Sequence, residues 1–134
     1  MRARDVTAGI IRAADGRVLL AERHRSCPGG GTWEFPGGTR EKNESLEECL
    51  HRELEEELGI RVRIDEPFVV IENPYEDIPM TLHTFLCTHT DGEPRAIECK
   101  DWRWVDFEEL RKANLTGADR RVLEALEERR RQSR

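Results

Sequence analysis

A mixed β-sheet held between helices is the architecture this sequence predicts. Three observations point there: one sharply delimited helix in the first half of the chain, strand-like apolar runs on both sides of it, and a second amphipathic helix near the end. Strand runs interrupted by an early helix and closed by a late one bury best as a layered α/β arrangement. The chain has 134 residues and shows no internal repeat, so residues 1–134 are expected to be a single domain around one hydrophobic core.

In order along the chain, residues 5–11 (DVTAGII) read as a strand with small residues at Ala8 and Gly9. Asp15-Gly16 signals a hairpin turn, and Arg17 to Glu22 form its second strand. The basic cluster Arg23, His24 and Arg25 follows, then a glycine-rich loop over 26–31 that contains Cys27. Trp33 and Phe35 alternate with Glu34, as in a short strand with one aromatic face. Pro36-Gly37-Gly38 reads as a turn. After the central helix, residues 60–71 read as strand, turn at Glu66-Pro67, and strand, followed by a loop at Asn73-Pro74-Tyr75. Residues 80–89 (MTLHTFLCTH) alternate strongly, as a central strand does. Asp91-Gly92 turns the chain, 102–105 is a last strand, Phe107 to Leu110 opens a short helix, and 118–130 is the closing helix with a frayed tail.

The central helix carries the chemistry. Ser45 with Glu48 three residues later is a capping box, and Gly59 is a left-handed stop, so the helix should span about 46–58. Leu46, Leu50, Leu54 and Leu58 form a stripe that can bury against a sheet. Glu53, Glu56 and Glu57 fall together on a neighbouring face, where like charges repel unless something cationic relieves them. Hard carboxylate oxygens on one face suit Mg²⁺ or Mn²⁺. Arg52 borders that face and can orient a glutamate through a bidentate pair. The bland alternative is a solvated acidic face, which many helices carry.

The order Gly38, five residues, Glu44, seven residues, Arg52-Glu53-Leu54, one residue, Glu56-Glu57, one residue, Gly59-Ile60 resembles the full Nudix box, with every fixed position filled. The flanking strand order fits too. The resemblance implies an α/β/α Nudix sandwich with a mixed sheet between helices, and Mg²⁺-dependent hydrolysis of a nucleoside diphosphate linkage, with Mn²⁺ as an alternative ion. It implies a metal set of Glu53, Glu56, Glu57 and Glu98 with the carbonyl of Gly37. Glu53 is the first choice for general base and Glu98 the second, though an exposed loop glutamate is the plain reading of Glu98. Arg52 and Glu44 support the catalytic set, Arg52 by holding the glutamates and Glu44 by supporting the loop. Arg23 is expected at a substrate phosphate, Gly38 beside the substrate, and Phe35 at a base pocket unless its ring is simply core.

Chain length, the WEFPGG approach and the ending ADRRVLEAL look like the MutT-type branch, which splits nucleoside triphosphates into monophosphate and pyrophosphate. There the position of Asp119 reads the base edge. An ionised carboxylate only accepts hydrogen bonds, so it should favour cytosine, guanine or an 8-oxo-purine. Asp119 also stands where a helix N-cap would. ADP-ribose or dinucleoside polyphosphates are alternative substrates, and a non-catalytic nucleotide-binding module is the alternative of another class.

Composition sets further bounds. A formal net charge of −6 disfavours duplex nucleic acid, which is held by neutralising phosphates with Lys and Arg. The four cysteines, Cys27, Cys49, Cys87 and Cys99, show no metal-finger spacing and read as free thiols of a reducing compartment. No apolar run is long enough for a membrane span, so a cytoplasmic monomer or homodimer is expected.

Overall fold

The computed structural model describes residues 4–133 apart from 25 and 27–29; the expectations that fall on Arg25 and Cys27 lie outside the described residues. Among the described residues ten elements follow in order. They are β1 (Arg4–Arg12), β2 (Val18–Glu22), β3 (Trp33–Glu34), β4 (Gly37–Thr39), α1 (Leu46–Leu58), β5 (Arg61–Glu72), β6 (Met80–Asp91), β7 (Asp101–Val105), α2 (Phe107–Lys112) and α3 (Gly117–Gln132).

Among the described residues seven strands make one mixed sheet of order β3-β2-β1-β6-β5, with β4 pairing β1 and β7 pairing β2. The β1–β6 pair is parallel and the other pairs are antiparallel. The long alternating strand is central, as expected, with β1 on one side and β5 on the other.

The side-chain period of two divides the core cleanly. Ile11, Leu19, Phe85 and Cys87 face α1, meeting Leu50, Leu54 and Leu58, all fully buried. Their neighbours Ile10, Leu20 and Leu82 face the other way, toward Leu110, Val122 and Leu123 of α2 and α3. The sheet is therefore covered on both sides, an α/β/α sandwich.

Three local expectations need correction. The Glu66-Pro67 turn does not exist: β5 runs through it on β-bulges, with register shifts at Ile64/Glu66 and Pro67/Val70. Proline is tolerated there because an edge strand with a bulge needs no ladder bond from it. The Pro36-Gly37-Gly38 turn is instead the start of β4, laid against β1 with Thr7 opposite Gly38 and Ala8 opposite Gly37. A Cβ on Gly37 would stand 2.0 Å from the Thr7 carbonyl oxygen, so only glycine lets the two backbones approach so closely. Finally, Asp119 is not a helix N-cap. Thr116 holds that position, and its side chain accepts the Asp119 N–H.

Candidate active site

The helix that carries the acids is built as its sequence implies. Ser45 and Glu48 form the reciprocal capping box, and Gly59 ends the helix at φ 68°. Three buried leucines anchor one face, which leaves the neighbouring face free for charge.

Arg52 organises that face. Its Nε and Nη2 donate to the two carboxylate oxygens of Glu44 at 3.0 and 2.7 Å. Its Nη1 donates to Glu53 at 3.0 Å and Glu56 at 3.1 Å, and Nη2 also reaches the Thr39 carbonyl at 3.1 Å. The bidentate partner is thus Glu44, which joins the loop to the helix, while the same guanidinium fixes Glu53 and Glu56. The Arg52 hydrogen bonds, aided by the Glu41 N–H, hold the Glu44 carboxyl down at about 2.

Glu53 lies under the glycine strand. A Cβ on Gly38 would stand 2.2 Å from its carboxyl carbon, so the absent side chain is the space the carboxylate occupies. Behind it, the Thr7 hydroxyl donates to the Gly38 carbonyl at 3.2 Å, and the Cys49 thiol lies 3.5 Å from the same oxygen. Burial raises the Glu53 carboxyl, against the pull of Arg52.

Glu57 is the most stressed acid. Burial, and then the charges of Glu34, Glu53 and Glu98, push it up to about 8. The loop bearing Glu98 is tied to this point, since the Ile97 and Glu98 N–H groups both donate to the Glu57 carbonyl, at 3.1 and 3.3 Å. The Glu98 side chain itself is exposed, yet it adds charge to Glu53 and Glu57.

Glu34 is a participant that sequence reasoning missed. Arg23 Nη1 donates to its Oε1 at 3.2 Å, and burial raises its carboxyl despite that pairing. The available signal was positional: an acid alternating with two aromatic residues must face away from them, toward whatever the rings do not line.

Asp119 comes to the site through β3. The segment after α2 runs beside this strand, with Trp33 N–H donating to the Asn114 carbonyl at 2.8 Å and Thr116 N–H to the Trp33 carbonyl at 3.3 Å. That places Asp119 Oδ2 to accept the Phe35 N–H at 3.0 Å. Asp119 is 4% exposed. Burial, then the Glu34 charge, raise it to about 7. The carboxylate taken as simply ionised is therefore one that titrates near neutrality. The Phe35 ring is buried among the residues of the α3 side, and what it offers toward Asp119 is its backbone N–H.

The residues present suit a divalent cation by chemistry. The donors are hard carboxylate oxygens, crowded until one is held near 8, beside a cradle that a single Cβ would fill. Among the described residues no three acids are already gathered as a ligand set. Arg52 is the cation that holds Glu53 and Glu56 in this arrangement.

Known proteins resemble the chain over nearly its whole length. The chain is 35% identical to the CTP pyrophosphohydrolase of Escherichia coli over 126 residues, covering 94% of this chain and 93% of that protein. It is 29% identical to the 8-oxo-dGTP diphosphatase of the same organism, covering 94% and 98%. The crystal structure of the MutT NUDIX hydrolase from Burkholderia pseudomallei superimposes with a TM-score of 0.82 at 30% identity, covering 93% of this chain and 98% of that one. The family model for the NUDIX domain matches residues 1–126, and with the glutamate helix packed beneath a glycine strand the chain belongs to the Nudix family, as a hydrolase of phosphoric anhydride bonds.

Proposed function

We propose that this hydrolase splits nucleoside triphosphates between the α- and β-phosphates, releasing nucleoside monophosphate and pyrophosphate, with cytosine nucleotides preferred. The observation that carries the reading is the crowd of carboxylates around Glu57, an excess of negative charge that a cation and a polyphosphate neutralise together. Glu53, Glu56, Glu57, Glu98 and the Gly37 carbonyl would hold Mg²⁺, or Mn²⁺ in its place. When bound, such an ion supplies positive charge against the phosphoryl oxygens and makes water more acidic.

The chain's own residues supply the rest. Glu53, pinned by Arg52 and lodged under Gly38, takes the proton of the attacking water, with Glu98 as the second candidate for that role. Arg52 and Glu44 are positioning residues, because they reach the reaction through Glu53 and Glu56. Arg23 offers its guanidinium fork to a phosphate from its place beside Glu34.

Base choice falls to Asp119. A carboxyl group that titrates near 7 can offer both a donor and an acceptor at neutral pH. That pair matches the N3 acceptor and the exocyclic amine of cytosine. The similarity to a CTP pyrophosphohydrolase over nearly the whole chain supports the same choice. The ionised form of Asp119 offers acceptors only, which favours the N–H groups of guanine or an 8-oxo-purine and makes those triphosphates the second reading.

The test is a panel of nucleoside triphosphates, oxidised nucleotides, ADP-ribose and dinucleoside polyphosphates, with separate phosphate and pyrophosphate readouts. Pyrophosphate release that is fastest with CTP or dCTP and absent with chelator is the expected outcome. Preference for ADP-ribose would refute the substrate class. Tight nucleotide binding without turnover at any metal concentration would make the chain a binding module.

A further inference from the structure

On the sheet face opposite α1, a cavity of about 840 Å³ opens between the β1–β2 turn, the start of α2 and the last turns of α3. Its volume is that of a small-molecule site. The sheet lines it with Ile10, Val18 and Leu86, and α3 adds Leu126. These residues belong to the core on the α2 and α3 side. None of the proposed metal-binding, catalytic or base-reading residues reaches it.

Its rim is unusual for an acidic protein. Five arginines line it, Arg12, Arg17, Arg63, Arg129 and Arg130, against four carboxylates. Three of the arginines have acidic partners: Arg17 with Asp15, Arg63 with Asp65, and Arg129 with Glu66. These pairs are exposed, and exposed pairs are weak and re-partner readily. Arg12 and Arg130 form no ion pair among the described residues, although Arg12 still acts on Asp65 at longer range. Arg130 packs over the Phe107 ring, its guanidinium carbon 3.8 Å from the centroid, a cation–π contact that holds it at the rim. An apolar floor, a planar cation held at the rim and a guanidinium outside any ion pair converge on one ligand chemistry: a phosphate ester carried on a flat ring.

We propose that this groove is a second nucleotide site, which binds a nucleoside monophosphate without metal. The ring stacks on Arg130 against the apolar floor, and Arg12 takes the phosphate. The proposal stands apart from the assignment of the acidic site, whose ligands are held through a cation.

Equilibrium dialysis with CMP in the presence of chelator separates the two. The wild-type chain should bind one equivalent, more weakly as salt rises. Cytidine and inorganic phosphate should each bind at least tenfold more weakly than CMP. The double variant Arg12→Ala/Arg130→Ala removes two exposed side chains, so it should keep the melting temperature and metal-dependent turnover of the wild type. Its CMP affinity should fall at least tenfold. The proposal is overturned if wild-type protein binds no CMP at millimolar concentration with chelator, or if the double variant retains full affinity. Binding abolished by Asp119→Ala instead would place the nucleotide in the base pocket and equally refute it.

Discussion

Gly38→Ala isolates the geometry on which the proposed role of Glu53 rests. The new Cβ would lie 2.2 Å from the Glu53 carboxyl carbon and 2.4 Å from its Oε2. Ordinary contact between carbon atoms is about 3.5 Å, so the carboxylate must retreat by more than about 1 Å. The neighbour that gives way is the far end of a flexible side chain, so the fold adapts at about the cost of one displaced rotamer, roughly 0.5–1.5 kcal/mol. Catalysis does not share that tolerance. A displacement of about 1 Å in a reacting group can cost about 10²-fold, or roughly 2.7 kcal/mol of barrier. The retreat also disturbs the hydrogen bond from Arg52, which now holds Glu53 at 3.0 Å. Gly37→Ala provides the contrast. Its Cβ would meet the Thr7 carbonyl oxygen at 2.0 Å and the Ala8 Cα at 2.8 Å, backbone atoms that cannot swing aside. Overpacking of that kind costs about 1–3 kcal/mol or more and should open the β1–β4 pair. Thermal melts and steady-state turnover on the two variants check the argument. Gly38→Ala should melt near the wild-type temperature with turnover down about 10²-fold, and Gly37→Ala should melt well below it. A Gly38→Ala enzyme with wild-type turnover would refute the placement of Glu53 at the reaction.

The other expectations concern Arg52, Asp119 and the thiols. Arg52→Lys keeps the charge but cannot serve both Glu44 oxygens together with Glu53 and Glu56, so turnover should fall about tenfold or more while nucleotide KM changes little. Asp119 is raised in the folded state to about 7, so its contribution to stability is complete below the ordinary carboxylate range and is lost as pH rises to about 7. Asp119→Asn should therefore melt higher than wild type at pH 7 and above, with the gap closing toward pH 4. The opposite trend in paired melts across that range would overturn the buried-acid assignment. Glu44 has the reverse sign: its carboxyl is held at about 2, so its contribution is present at neutral pH and lost as pH falls toward 2, and Glu44→Gln should flatten acid unfolding there. Cys49, Cys87 and Cys99 are buried, and burial pushes the Cys87 thiol up to about 12 and the Cys99 thiol to about 11. Mass mapping after thiol labelling should find all three unmodified until the chain unfolds.

What could be read from sequence was what local spacing determines. The capping box, the left-handed Gly59 and the leucine stripe are i, i+3 and i+4 relations, and they fixed α1 at both ends. The same periodicity placed Glu53, Glu56 and Glu57 on one face. The misreadings arose where a distant partner decides the backbone. Gly37-Gly38 has the composition of a turn, but the decisive fact is Thr7 across the β1–β4 ladder. Glu66-Pro67 has the composition of a turn too, yet the neighbouring β6 carries the strand past it on bulges. Asp119 lies at the beginning of a helix, and only the run of 114–116 beside β3 shows that its carboxyl answers the Phe35 N–H while Thr116 does the capping. Glu34 was missed for the same reason, since Arg23, Glu57 and Asp119 reach it from three other parts of the chain.

The balance of forces on α1 explains why such an acidic site survives in a small fold. Leu50, Leu54 and Leu58 are completely buried, and each contributes about 1.5–3 kcal/mol on leaving water. Repulsion between like charges a turn apart on an exposed helix costs only a few tenths of a kcal/mol per pair. The apolar stripe therefore anchors the helix against that repulsion and against the burial that raises Glu53 and Glu57. The arrangement of the acids is then decided by one guanidinium. With Glu44 taking Nε and Nη2, the remaining Nη1 is divided between Glu53 and Glu56, and the Glu57 carboxyl has no hydrogen bond or ion pair among the described residues, only the longer-range charge of Arg23 against those that raise it. A divalent ion held here would compete with Arg52 for Glu53 and Glu56, and at Glu57 would meet only the longer-range charge of Arg23. The acid with the most to gain from a cation is thus the one the fold has not already satisfied.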